Sequence, residues 1–162
     1  IHLLKAFKIV NKNNKNINLL LIGNGNKKNI LMNYIKKNNL SNNVQILNNI
    51  NNSLPYIRHS DLYVSTSIYE GFPNVLLESV VLNLPIISTY FKSGLSEILL
   101  YGKGGLIVKS NNPKNLSNKI IYYFANKNYL KKRAVIAKRK SGKFNFEFWK
   151  KKFQKIIYSL QD

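Results

Sequence analysis

The feature that most constrains this chain is an alternation. Five short apolar runs, Ile17–Ile22 (INLLLI), Val44–Leu47 (VQIL), Asp61–Ser67 (DLYVSTS), Pro85–Thr89 (PIIST) and Gly104–Val108 (GGLIV), are separated by stretches of helical period. The continuous run Ile17–Ile22 reads as a strand buried on both faces. Strands separated by helices pair in parallel, because the crossover needs the length of a helix. The pattern therefore predicts an α/β, three-layer fold around a parallel sheet. A length of 162 residues with 44% apolar side chains suits one real core and excludes a disordered chain.

Between the runs, Ile1 to about Asn11 places Leu3, Leu4, Phe7 and Val10 on one face, an amphipathic helix in which His2 reads as a surface residue. Asn29–Asn38 repeats the pattern with Ile30, Leu31, Tyr34 and Ile35 inward. Asn51–His59 predicts a short helix, and Asn111 to about Ala125 a longer one opened by Pro113. Ser93 or Ser96 is expected to cap a short helix carrying Glu97. Gly23-Asn24-Gly25 follows the first strand; a tight strand-to-helix turn explains it more simply than a phosphate loop, since a lone Gly-x-Gly is a weak signal.

The stretch Tyr69–Glu78 (YEGFPNVLLE) carries the chemistry. Gly71 permits a tight turn and close backbone approach, and Pro73 suits the first position of a helix that runs to about Leu82. That helix is apolar nearly all round, which makes Glu78 an anomaly: the residues one turn away are Asn74, Val75, Val81 and Leu82. Its carboxylate needs a partner from outside its own helix. Glu70 lies in the loop between a strand's C-terminal end and a helix N-terminus, where open α/β sheets bind ligands and backbone N–H groups favour phosphate.

EGFPNVLLE, followed in order by LNLPIIST, SGLSEIL and GKGGLIV, resembles the C-terminal, nucleotide-sugar-binding domain of the retaining glycosyltransferases of family 4, or group 1, which have the GT-B fold of two Rossmann-like domains. The resemblance runs from Ile1 to about Phe124; Asn83 stands where the family usually has Gly. It implies transfer of a hexosyl-type sugar from a nucleotide-diphosphate sugar, UDP-linked by expectation, to an acceptor hydroxyl with retention, as in polysaccharide biosynthesis. Glu70 would be the catalytic-site carboxylate that contacts sugar hydroxyls, beside the Gly71 and Phe72 backbone. Asn74, Val75 and Leu76 would offer N–H groups to the diphosphate, and Glu78 would accept from the ribose hydroxyls. Asn48–Ile50, with Asn49 and Ile50 nearest, would approach the base through their backbone, an Asn-rich turn being the equal alternative. No metal or other cofactor is implied, and His2 and His59 alone make a poor metal constellation in a chain without Cys.

The resemblance also places the family's diphosphate-gripping Arg and Lys, its first strand and the acceptor-binding N-terminal domain ahead of Ile1. The chain, which does not begin with Met, is therefore expected to be a fragment, inactive alone, with a first strand absent from the centre of the sheet. The strands flanking that position, Ile17–Ile22 and the Leu62 strand, should then stand about 9 to 10 Å apart, or else pair directly. Residues 1–126 would form the Rossmann-like donor domain and 127–162 a basic, aromatic C-terminal helical segment.

The net charge of +20 raises the reading from another class, a non-catalytic basic module that binds polyanions, nucleic acid or anionic membrane. Against it, residues 60–108 hold Asp61, Glu70, Glu78 and Glu97 but only Lys92 and Lys103, so the expected site is the least basic part of the chain. Lys, Asn, Ile and Tyr are enriched together, as AT-rich coding would produce. Beyond Lys127, Trp149, Phe153, Ile156 and Leu160 recur at helical spacing among lysines. Packing on this or another domain, a membrane-surface helix and a nucleic-acid patch are the readings, in that order. The expected partners are a nucleotide-sugar and a lipid-linked or saccharide acceptor, with peripheral contact at the cytoplasmic membrane face of a cytoplasmic protein.

Overall fold

The computed structural model describes residues 1–92 and 94–145. Helices and strands alternate as α1 (His2–Asn13), β1 (Leu19–Ile22), α2 (Lys28–Lys37), β2 (Val44–Leu47), α3 (Leu54–Arg58), β3 (Tyr63–Ser65), α4 (Asn74–Val81), β4 (Ile86–Thr89), α5 (Leu95–Ile98), β5 (Leu106–Val108), α6 (Pro113–Ala125) and α7 (Lys127–Lys140). All strand pairs are parallel, with Leu19 opposite Val44, Tyr63 opposite Ile86 and Ile87 opposite Leu106. Each strand matches an apolar run of the sequence.

The sheet is in two pieces, β1–β2 and β3–β4–β5, divided between the two strands that the sequence expected to flank a gap. β1 and β3 do not pair with each other, and among the described residues no strand lies hydrogen-bonded between them. What joins the pieces is a shared core. Leu4, Phe7 and Val10 of α1 meet Val44, Ile87, Val108, Leu116, Ile120 and Tyr123, and α1 packs chiefly along α6. Each of these large side chains contributes about 1.5 to 3 kcal/mol by leaving water, so the helices bridge what backbone pairing does not. A second cluster, built from Leu76, Val80, Ile86, Phe91, Leu95, Ile98, Leu99 and Ala137, fixes α4 and α5 to the three-stranded sheet and to α7.

Local signals account for most boundaries. Asn112 caps α6, its Oδ1 accepting from the Asn115 N–H at 2.9 Å, with Pro113 as the first helical residue. The expected serine cap of α5 is not used: Gly94, at φ +71°, takes the N-cap without a side-chain bond, and Ser93 lies outside the described residues. Gly94 is needed there for its left-handed backbone; a Cβ would make only an ordinary contact, 3.4 Å from Pro73 Cδ. Gly104 answers to packing instead, since a Cβ would stand 2.7 Å from the Ala137 Cβ of α7. Arg133 of α7 completes that junction by donating to the carbonyls of Gly102 and Gly105. The Trp149-to-Leu160 stripe lies outside the described residues.

Candidate functional site

The site is built where β3 turns into α4. Thr89, the last residue of β4, donates its hydroxyl to the Ser67 carbonyl at 2.8 Å, and Ser67 in turn donates its own to Glu70 Oε1 at 2.5 Å. The neighbouring strand thereby fixes the loop that carries Glu70, and the Ser67 hydroxyl holds its carboxylate. Neither Ser67 nor Thr89 stands out in the sequence, although both end an apolar run, the one position where a small hydroxyl can brace a loop.

The helix starts one residue later than its proline suggested. Pro73 is the N-cap, at φ −82° and ψ 73°, and α4 begins at Asn74 with no side-chain cap and no acid in its first turn. The Asn74 N–H is already donated to the Phe72 carbonyl at 2.9 Å, so it is not free for a diphosphate, contrary to expectation. The N–H groups of Val75 and Leu76 have no acceptor among the described residues. The Leu76 side chain is 1% exposed and belongs to the core, so only its backbone faces the site. Gly71 and Phe72 are exposed at the turn; a Cβ on Gly71 would meet nothing within 4 Å, so packing does not demand a glycine there.

Glu78 sits one turn further along α4. Its Oε2 is buried without a hydrogen-bond partner. Such an atom costs about 1 to 3 kcal/mol and marks a place where something polar belongs. Glu70 and Glu78 act on one common neighbour: burial pushes the Tyr63 phenol up to about 12, and the two carboxylates push in the same direction against a Ser65 hydrogen bond.

Asn49 and Ile50 stand elsewhere, after β2 in the two-stranded sheet. Asn49 adopts a left-handed backbone at φ +54° and donates its N–H to Asn24 Oδ1 at 3.1 Å. Asn48 bridges the same gap, its amide nitrogen donating to the Gly23 carbonyl at 3.0 Å and its oxygen accepting from Lys28 Nζ at 2.9 Å. The Gly23-Asn24-Gly25 turn is thus latched to the Asn-rich segment. Asn24, Asn48 and Lys28 were not legible as a set, because their bonds span β1 and β2. Among the described residues, no hydrogen bond joins Asn48–Ile50 to the β3–α4 loop.

His2 is not the plain surface residue its sequence suggested. It lines a crevice of about 10 Å³ with Thr66, Ile68, Thr89, Ser110 and Pro113, and its Nδ1 is buried without a partner. The start of α1 therefore rests against the ends of β3 and β4. Among the described residues, no group of three His, Cys, Asp or Glu could hold a metal ion.

Parallel strands feeding helices, with Glu70 in the loop ahead of α4 and Glu78 on α4 itself, make an α/β domain of the GT-B type. The chain belongs to the family Glycosyl transferases group 1, which matches residues 1–141. An uncharacterized glycosyltransferase of Methanocaldococcus jannaschii is 38% identical over 120 residues, 66% of this chain and 30% of that protein. The C-terminal domain of a glycosyl transferase group 1 family protein from Francisella tularensis superposes with a TM-score of 0.77 at 19% identity, over 90% of this chain and 78% of the other. Anabaena HepE in complex with UDP superposes with a TM-score of 0.82 at 19% identity, over 99% and 44% of the two chains. The chain thus spans about a third of the length of the M. jannaschii relative.

Proposed function

We propose that this chain supplies the donor side of a retaining glycosyltransferase, binding a UDP-linked hexose whose sugar passes to an acceptor hydroxyl held by another domain. The observation that carries the reading is the unpartnered Glu78 Oε2 on a helix whose N-terminus has no cap. A carboxylate is left buried and unpaired only where the fold gains something else by it, and two vicinal ribose hydroxyls would satisfy it. The Val75 and Leu76 N–H groups and the α4 dipole would meet the diphosphate and stabilise the charge of the leaving group. Glu70, braced by Ser67, would orient the transferred sugar through its hydroxyls, which is a positioning task more than a proton-transfer one. The UDP held by the HepE neighbour supports the choice of base. Helix dipole and side-chain cations, with no metal, are the charge stabilisers in this scheme.

Calorimetric titration of the chain with UDP and with UDP-glucose tests the reading. Saturable binding that Glu78→Ala removes, and that moderate salt leaves in place, is the expected result. Binding of nucleic acid and UDP alike, with steep salt dependence and indifference to Glu78→Ala, would instead favour the basic polyanion-binding module.

A further inference from the structure

α7 packs inward through Leu130, Ala134 and Ala137, while the residues of its opposite face are exposed. With 100° between successive residues, that outward face carries Lys131, Lys132, Val135, Ile136, Arg139 and Lys140, all exposed. They form two parallel rows, Lys131-Val135-Arg139 and Lys132-Ile136-Lys140, each a cation, an aliphatic and a cation one turn apart. Val135 and Ile136 are 36% and 44% exposed at the centre of this face. None of the four cations has an ion-pair or hydrogen-bond partner among the described residues. Those of α7 that do have partners, Lys127 with Asp61 and Arg133 with the Gly102 and Gly105 carbonyls, lie off this face. At one end, a groove of about 610 Å³ is lined by Lys131, Lys132 and Val135 together with Arg58, Asn83, Leu84 and Asp61, whose carboxylate is paired with Lys127. At the other end, the turn after α7 brings Phe144 to within 6.4 Å of Phe72 in the candidate site.

From this arrangement we infer that the outer face of α7 docks on an anionic lipid surface, with Val135 and Ile136 entering the headgroup layer and a lipid phosphate taken into the groove by Arg58, Lys131 and Lys132. A helix that lies in a membrane interface combines a cationic rim with apolar side chains at its centre, and this face has both. Nucleic acid fits it less well. Backbone phosphates offer nothing to two exposed aliphatics, and single strands call for stacking rings, whereas the Tyr129 ring beside this face is already covered by Arg133 at 4.7 Å. The inference does not depend on the donor-site reading, although α7, about 21 Å long, would set the Phe72 rim beside the lipid.

Vesicle co-sedimentation with the full chain tests it, using phosphatidylcholine alone or mixed with phosphatidylglycerol. The expected result is binding only to the mixed vesicles, reduced about fivefold for each cation removed, as in Lys131→Gln or Arg139→Gln. Val135→Ser with Ile136→Ser should lower binding without changing its salt dependence, and circular dichroism of each variant keeps folding separate from docking. Equal binding to neutral vesicles would overturn the inference. So would displacement by inorganic phosphate at concentrations that leave the ionic strength unchanged, which assigns the groove to a free anion, or stronger binding to poly(U) that competes with vesicles and survives Val135→Ser with Ile136→Ser.

Discussion

Replacing Glu78 by Leu should make the protein more stable and less able to bind its donor. The carboxylate lies on an otherwise apolar helix with Oε2 buried and unpartnered, and a charge-bearing group left in that state costs about 1 to 3 kcal/mol. Leu has a similar volume and removes the cost without opening a cavity. Glu78 is half-buried, so the lower part of the range applies, and a gain of about 1 to 2 kcal/mol follows. With a urea m-value of about 2 kcal/mol per molar, the midpoint should rise by about 0.5 to 1 M. UDP affinity should fall about ten- to a hundredfold, the worth of one charge-assisted hydrogen bond to a ribose hydroxyl. Urea unfolding followed by circular dichroism, with calorimetric UDP titration of the same samples, measures both. A variant that is destabilised, or one that binds UDP as the parent does, would refute the assignment of Glu78 as a ligand group held at the expense of stability.

Three other perturbations are worth making. Gly104→Ala forces a methyl to within 2.7 Å of the Ala137 Cβ and should cost about 1 to 3 kcal/mol in chemical denaturation, whereas Gly142→Ala, whose Cβ would meet nothing within 4 Å, should cost far less. Because the Tyr63 pKa is raised from 10 to about 12, its stabilising contribution is complete below pH 10. It is lost as pH climbs to 12, where the unfolded chain releases the proton and the folded one keeps it. About 2 to 3 kcal/mol of stability should disappear across that window, and Tyr63→Phe should flatten this part of the pH profile; an unchanged profile counts against the burial of the phenol. Thr89→Val cuts the bond that fixes the Ser67 carbonyl and should weaken UDP-sugar binding more than UDP binding, since it loosens Glu70 and not Glu78; equal loss for both ligands would show that the brace does not act through Glu70.

How far the sequence could be read depended on the range of the interactions. Strands such as Val44–Leu47 and the capped start of α6 follow from neighbours within a few residues, and they stand where composition and turn chemistry put them. Glu78 was legible for the same reason, because an acid on an apolar helix is visible without any tertiary knowledge. The Thr89–Ser67–Glu70 relay and the Asn24–Asn49 latch were not, as each depends on which strands are neighbours. His2 misled for the opposite reason: helical periodicity turns it away from the Leu4–Phe7–Val10 face, but the ends of two strands reach it at the helix start.

The divided sheet bears on how such a domain keeps its site in order. Rigidity across β1–β2 and β3–β4–β5 cannot come from backbone pairing, so it must pass through α1 and α6, whose Leu4, Phe7, Val10, Leu116 and Ile120 touch the common core. Tyr123 adds a directional tie, fully buried in α6 while its hydroxyl donates to the Asp61 carbonyl at 2.6 Å just ahead of β3. Loss of that hydroxyl in Tyr123→Phe leaves the apolar packing intact and should cost about 1 kcal/mol, the ordinary net worth of one such bond. Its effect on the site should be larger than that figure suggests, because the bond fixes the start of the strand that ends at the Glu70 loop. Amide hydrogen exchange separates the two effects. Faster exchange confined to β3 and the loop after it would mean that α6 sets the position of the Glu70 loop, whereas uniform acceleration over both sheets would mean that Tyr123 acts only through global stability.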